Sequence, residues 1–145
     1  MFLDSLFDYF LFRKKKPSEK DFEKMLKRSV SKFNKWRERN PESVVILGVN
    51  QRLTGMNLKG VNFTNAFFQD SAFKNSNLES ANFENADLSY VSFKGSNLKN
   101  ACFKKARLDT TNLSETNLDG VDFTDAFVFA CSLPENAPIS NRTKY

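Results

Sequence analysis

Residues 51–130 read, in fives, QRLTG, MNLKG, VNFTN, AFFQD, SAFKN, SNLES, ANFEN, ADLSY, VSFKG, SNLKN, ACFKK, ARLDT, TNLSE, TNLDG, VDFTD, AFVFA. The third residue of every unit is Leu or Phe, with Val128 closing the series, and from Val61 onward a short residue stands two places before it. A spacing of five suits neither a helix, with its period of 3.6, nor a strand, with its period of 2. Each unit must therefore be a short extended piece followed by a turn. Sixteen such units in succession mark a stacked repeat.

Matches at every twentieth position are stronger still. Phe63, Phe83, Phe103 and Phe123 are all Phe; Leu58, Leu78, Leu98 and Leu118 are all Leu; Ala66, Ala86, Ala106 and Ala126 are all Ala. Four units at right angles make a square coil of twenty residues, and like side chains then stack down a narrow core. Asn57, Asn77, Asn97 and Asn117 form a further column able to share amide hydrogen bonds. Sixteen units make about four coils, a tower roughly 20 Å tall at ~4.8 Å per rung. Outside it, Lys59, Glu79, Lys99 and Asp119 alternate in sign. Such a tower exposes strand edges at both ends and needs caps.

Working outward, the net charge of +5 is unevenly placed. Residues 1–50 carry 12 Lys and Arg against 7 Asp and Glu, whereas residues 51–133 carry 8 against 9. The basic character belongs to the N-terminal part. Four segments follow: 1–17, apolar and then basic; 18–50, a helical cap and lead-in strand; 51–133, the repeats; and 134–145, a C-terminal tail. In the first, Phe2, Leu3, Leu6, Phe7 and Phe10 fall on one helical face and Arg13, Lys14, Lys15 and Lys16 follow. Twelve residues are too few to cross a bilayer, and charges placed after the apolar stretch do not suit a signal peptide. In the second segment, Ser18 and Asp21 give a capping-box start to a helix carrying Phe22, Met25, Leu26, Val30, Phe33 and Trp36 on one face. Asn40-Pro41 ends it, residues 43–49 read as a strand, and Ile139–Tyr145 as a loose tail.

The units ANFEN and ADLSY reproduce almost verbatim the A(D/N)LXX consensus of the pentapeptide-repeat family, which the chain resembles over residues 51–130. The resemblance implies an all-β solenoid, a right-handed quadrilateral β-helix, here of about four coils with an N-terminal α-helical cap. Residues 33–41, FNKWRERNP, are similar to the W-R-x-x-N-P lead-in found ahead of bacterial, notably cyanobacterial, repeats, where it acts as that cap. Phe67, Ala72, Cys102, Arg107 and Phe127 depart from the consensus, all at its Asn/Asp position.

An enzyme is not expected. The chain has no His, no glycine-rich phosphate loop, no metal-ligand spacing and no nucleophile motif, and no cofactor is implied. Cys102 and Cys131 read as ordinary thiols of a reducing, cytoplasmic compartment. The expected role is a protein-interaction scaffold. Its candidate contacts are the outward aromatics Phe67, Tyr90, Phe127 and Phe129; the bland alternative packs Phe67 against the N-terminal helices and Phe127 and Phe129 under the tail. For residues 1–16 the alternatives are an anionic membrane surface, a second subunit in a homodimer, or the solenoid itself. Some members of the family resemble B-form DNA and protect DNA gyrase, a role that calls for a long acidic rod; this short, nearly neutral body keeps it as the alternative. Nucleic acid binding is not expected, because no base-reading motif accompanies the basic residues.

Overall fold

The computed structural model describes residues 17–47, 53–68 and 70–140. Within the repeats, parallel backbone bridges step by twenty residues: Asn57 to Asn77 to Asn97 to Asn117 on one side, Asn62 to Asn82 to Cys102 to Asp122 on the next. The twenty-residue coil read from the side-chain columns is thus the repeat of the hydrogen-bonded backbone. Two strands extend over three residues, β1 (Arg107–Asp109) and β2 (Phe127–Phe129), paired in parallel.

Two local devices turn the chain. Every fifth residue from Gly55 to Ala130 has positive φ, between 50° and 73°. Gly, Asn and Asp tolerate that left-handed conformation, which explains their frequency at this position. The residue before each Leu or Phe supplies the second device. The side-chain oxygens of Asn62, Asn77, Asn82, Asp87, Asn97, Asn112, Asn117 and Asp122 each accept a hydrogen bond from the N–H two residues on. These Asx turns are the physical content of the consensus Asn/Asp.

Inside, Phe63, Phe83, Phe103 and Phe123 stack with ring centroids 5.5, 5.0 and 5.3 Å apart. The short inward residues leave room for those rings. Where they carry a hydroxyl, it donates to a core carbonyl: Ser76 to Leu53 at 2.7 Å, Ser96 to Phe73 at 2.5 Å, Thr111 to Leu88 at 2.8 Å. Outside, the Asn column shares amide bonds, Asn77 to Asn57 and Asn97 to Asn77, each at 3.3 Å. Of the alternating charges, Lys59 and Glu79 pair at 3.1 Å. Other pairs run diagonally, Lys94 to Glu115 and Lys104 to Asp122, both at 3.2 Å. Hydrogen bonds from the Thr124 hydroxyl and N–H, helped by Lys104, hold the Asp122 carboxyl below its usual range.

The single helix expected ahead of the repeats is two: α1 (Glu19–Arg28) and α2 (Val30–Arg39). Ser29, extended at φ −171° and ψ 120°, separates them. Its N–H donates to the Met25 carbonyl while its Oγ accepts from the Lys32 N–H, so one residue ends the first helix and starts the second. The bend brings Phe22 edge-on to Trp36 at 5.0 Å. The capping box at Ser18 and Asp21 forms as expected. From α2, Phe33 packs on Phe63, and its polar side chains meet the leading edge of the first coil. Asn34 donates to the Gly60 carbonyl at 2.8 Å and accepts from the Asn62 N–H at 2.9 Å, as a peptide of a neighbouring rung would. Arg37, only 3% exposed, donates to the Ser43 and Thr64 carbonyls at 2.5 and 2.7 Å. Burial pushes its pKa down, and its Nε has no hydrogen-bond partner.

The strand expected over residues 43–49 is reduced to a bridge at Ile46, with residues 48–49 outside the described part. Leu47 donates to the Phe67 carbonyl and Phe67 to that of Val45, which sets one more rung above the first coil. Ala137 and Ile139, partly buried, pack against the core, and residues 141–145 of the expected tail lie outside the described residues.

Candidate functional site

Two sides of the tower keep the Asx turn at most of their rungs, and a third carries the small residues Ala72, Ser92 and Ser132 around Asn112. The remaining side gives the turn up for large side chains. It carries the column Ile46, Phe67, Asp87, Arg107, Phe127, bridged rung to rung. Phe67, Arg107 and Phe127 stand here where the consensus has Asn or Asp, and of the repeat rungs only Asp87 keeps its Asx turn, accepting from Ser89 at 3.0 Å. The third side likewise keeps one Asx turn, at Asn112, but fills the other places with small residues; large side chains in those places are what set the Phe67 side apart.

Exposure points the same way. The large hydrophobic residues exposed among the described residues are Ile46 at 43%, Phe67 at 48% and Tyr90 at 55%. Ile46 and Phe67 are consecutive in the column, and Tyr90 turns the corner three residues after Asp87. Neither α1 nor α2 covers Phe67, whose described neighbour on the adjoining rung is Ile46; residues 1–16, the other part of the expected N-terminal cover, lie outside the described residues. Phe127 and Phe129 are half-buried and lie 6.2 Å apart, ring to ring.

Tyr90 is also held at φ 62°. A left-handed backbone costs a residue other than Gly or Asn about 1–2 kcal/mol. The coil imposes the same corner conformation on Ser80, Lys105, Thr110, Glu115 and Ala130, so what distinguishes Tyr90 is its exposed ring. Flanking it, the Ser89 and Ser92 hydroxyls are buried without a hydrogen-bond partner. Arg107 bonds to Asp109 at 2.9 Å and lies 4.8 Å over the Phe127 ring, so charge and aromatic surface are joined at the foot of the face.

Sequence reasoning named Phe67, Tyr90, Phe127 and Phe129, and the structure gathers all four on one face and its corner. It missed Ile46, Asp87 and Arg107. Arg107 was visible as a departure at the Asn/Asp position; Ile46 carried no signal, because it lies outside the repeat register. Phe2, Leu3, Leu6, Phe7, Phe10 and Arg13–Lys16 lie outside the described residues. Among the described residues no cluster of His, Cys, Asp or Glu could hold a metal ion, and no helix is long and apolar enough to cross a membrane.

The family model for pentapeptide repeats matches eight copies, over residues 50–79, 68–104 and 76–114. Residues 50–114 of this chain are pentapeptide repeats. Among solved structures, the repeat chain is similar to a pentapeptide repeat protein from the thylakoid lumen of Arabidopsis thaliana, at 30% identity over 57% of each chain, with a TM-score of 0.55. It thus spans little more than half the length of that relative. It is also similar to HetL, a pentapeptide repeat protein involved in heterocyst differentiation regulation from the cyanobacterium Nostoc, at 24% identity over 65% of this chain and 48% of that one, with a TM-score of 0.39. The pentapeptide repeat protein Rfr23 from the cyanobacterium Cyanothece matches at 20% identity over 74% and 97% of the two chains, with a TM-score of 0.36. No curated protein matches.

Proposed function

We propose that this pentapeptide-repeat chain is a non-enzymatic binding scaffold of about four right-handed coils, capped by α1 and α2, and that it offers the Ile46–Phe127 face to a protein partner. One observation carries the reading. The face gives up its Asx turns at Phe67, Arg107 and Phe127, and Ile46, Phe67 and Tyr90 are exposed along it and at its corner. Two cysteines outside any disulfide suit a reducing, cytoplasmic setting. The DNA-mimic alternative gains nothing from the charge pattern, since lysines pair with acids across rungs at Lys59–Glu79, Lys94–Glu115 and Lys104–Asp122.

The test is affinity capture with the intact chain, a Phe67→Ala/Phe127→Ala variant and an Asn97→Ala control on another face. Loss of the same captured protein from the first variant alone supports the reading; equal capture by all three removes it. Circular dichroism must show all three folded.

A second reading concerns the N-terminal end. Lys20, Lys24, Lys27, Arg28, Lys32, Lys35 and Arg39 are all exposed on α1 and α2, immediately after the basic run Arg13–Lys16. Together they suit an anionic membrane surface. Co-sedimentation with phosphatidylserine vesicles, with and without residues 1–16, checks it; equal pelleting of both chains rejects a role for that segment.

A further inference from the structure

The exposed part of the candidate face is an apolar strip at its leading end: Ile46 on the rung above the first coil, Phe67 on the next, and Tyr90 at the corner one rung further on. Two exposed carboxylates flank it, Glu42 on the turn that precedes Ile46 and Asp70 in the corner column one rung before Tyr90. The chain carries one segment of matching character that neither the repeats nor the cap use. Phe2, Leu3, Leu6, Phe7 and Phe10 share one helical face by sequence, and Arg13–Lys16 follow at once, all outside the described residues. We propose that residues 1–12 dock on the Ile46–Phe67–Tyr90 strip of their own chain and compete there with the external partner. The proposal rests on the reading of this face as a binding surface and adds its regulation.

Attachment and reach select the chain's own segment. Phe22 and Trp36 stand seven residues either side of Ser29 and meet ring to ring at 5.0 Å, so α1 folds back along α2. Pro17 therefore lies at the C-terminal end of α2, where the Ser43 N–H donates to the Asn40 carbonyl and Arg37 donates to the Ser43 carbonyl. Ile46 is three residues beyond Ser43, so segment and strip start from the same corner of the cap. Arg13–Lys16 span up to about 14 Å when extended, more than the ~10–12 Å diameter of one helix, and so carry residue 12 past α1 to the Ile46 rung. Twelve helical residues run ~18 Å, and three steps of ~4.8 Å lead from Ile46 to Arg107. Running away from the cap, such a helix sets Phe10 between Ile46 and Phe67, and Phe7 and Leu6 between Phe67 and Tyr90. Charge agrees with that direction. Arg13–Lys16 pass Glu42 and Asp70, while Asp4 comes level with Arg107, whose guanidinium keeps donors beyond the one used on Asp109.

A segment tethered by four residues acts at an effective concentration on the order of millimolar, so at micromolar protein it excludes the same segment of a second copy. Its footprint is three side chains, well below the ~800 Å² per partner of a standard interface. The cover is therefore weak, and a partner that also engages the rest of the face displaces it.

Benzoylphenylalanine placed at Phe67 of the full chain, irradiated with no other protein present and mapped by mass spectrometry, tests this. The expected product is an intrachain crosslink to residues 1–12, its yield unchanged between about 1 and 100 µM chain. The same probe at Asn97, on another face, should give none. Phe7→Asp/Phe10→Asp should cut the Phe67 product at least ~5-fold, because two charges then replace the apolar contact. Absence of the intrachain product, an equal yield from Asn97, or a covalent dimer in its place overturns the proposal. Affinity capture separates its failure from that of the reading beneath it. If the intrachain product is absent yet the Phe67→Ala/Phe127→Ala variant still loses its captured protein, the binding face stands and only its cover fails; if capture is also unaffected, both fail.

Discussion

Replacing Arg37 with Ala should destabilise the chain by about 3 kcal/mol. The residue makes two hydrogen bonds from a charged donor, to the Ser43 and Thr64 carbonyls. Bonds to charged groups contribute ~1.5–3 kcal/mol each. Against their sum stands the cost of burying the guanidinium, whose Nε is unpaired and whose pKa is depressed by desolvation. Removing the side chain recovers that cost but strands two carbonyls, one of them on the leading edge of the first coil. A net loss near 3 kcal/mol remains, equivalent to a melting temperature lower by roughly 10 °C for a chain of this size. Arg37→Lys should recover less than half, because an ammonium at the end of a flexible stem cannot span both carbonyls. Urea melts followed by circular dichroism measure the total. Hydrogen exchange locates it: amides of residues 53–68 should lose protection before those of residues 96–113. A loss below ~1 kcal/mol, or a Lys variant equal to wild type, would refute the reasoning that Arg37 closes the coil edge.

Three further outcomes are expected. Phe83→Ala, at a fully buried ring between Phe63 and Phe103, should cost about 3–5 kcal/mol, and Phe123→Ala, partly exposed at the trailing end, less than half of that in the same melts. Gly95→Ala should cost more than Gly60→Ala: both sit at positive φ, but an added Cβ at Gly95 would come within 2.3 Å of the Asn75 side-chain oxygen and at Gly60 would meet open space. With a thiol reagent at pH 8, half-buried Cys102 should react well before Cys131, where burial raises the thiol pKa and so lowers the thiolate fraction; unfolding should equalise the two.

The repeat was legible because one physical cause writes every fifth residue. A tower of identical rungs demands a filled interior, an Asx turn and a left-handed corner at fixed offsets, and the columns at Phe63, Leu58 and Ala66 recorded the coil length. The break at Ser29 was not legible, since a mid-helix Ser on an amphipathic pattern reads as surface until its hydroxyl is seen to cap. Asn34 was hidden for a related reason: its partners lie 26 and 28 residues away, and a polar helical residue carries no mark of them. The candidate face was half legible. Phe67 and Phe127 stood out where Asn or Asp belongs, but whether a helix would cover Phe67 depended on where the chain after Pro41 returns. It returns as Ile46, on the next rung of the same face.

Photo-crosslinking around the tower tests the central claim most directly. Benzoylphenylalanine placed singly at Phe67, Tyr90 and Phe127, and as controls at Asn82, Asn97 and Asn112 on the other three faces, reports which side is within reach of a protein. Crosslinked product from the first three positions and not from the controls is predicted. Equal yields from all sides, or product from a control face alone, would contradict it.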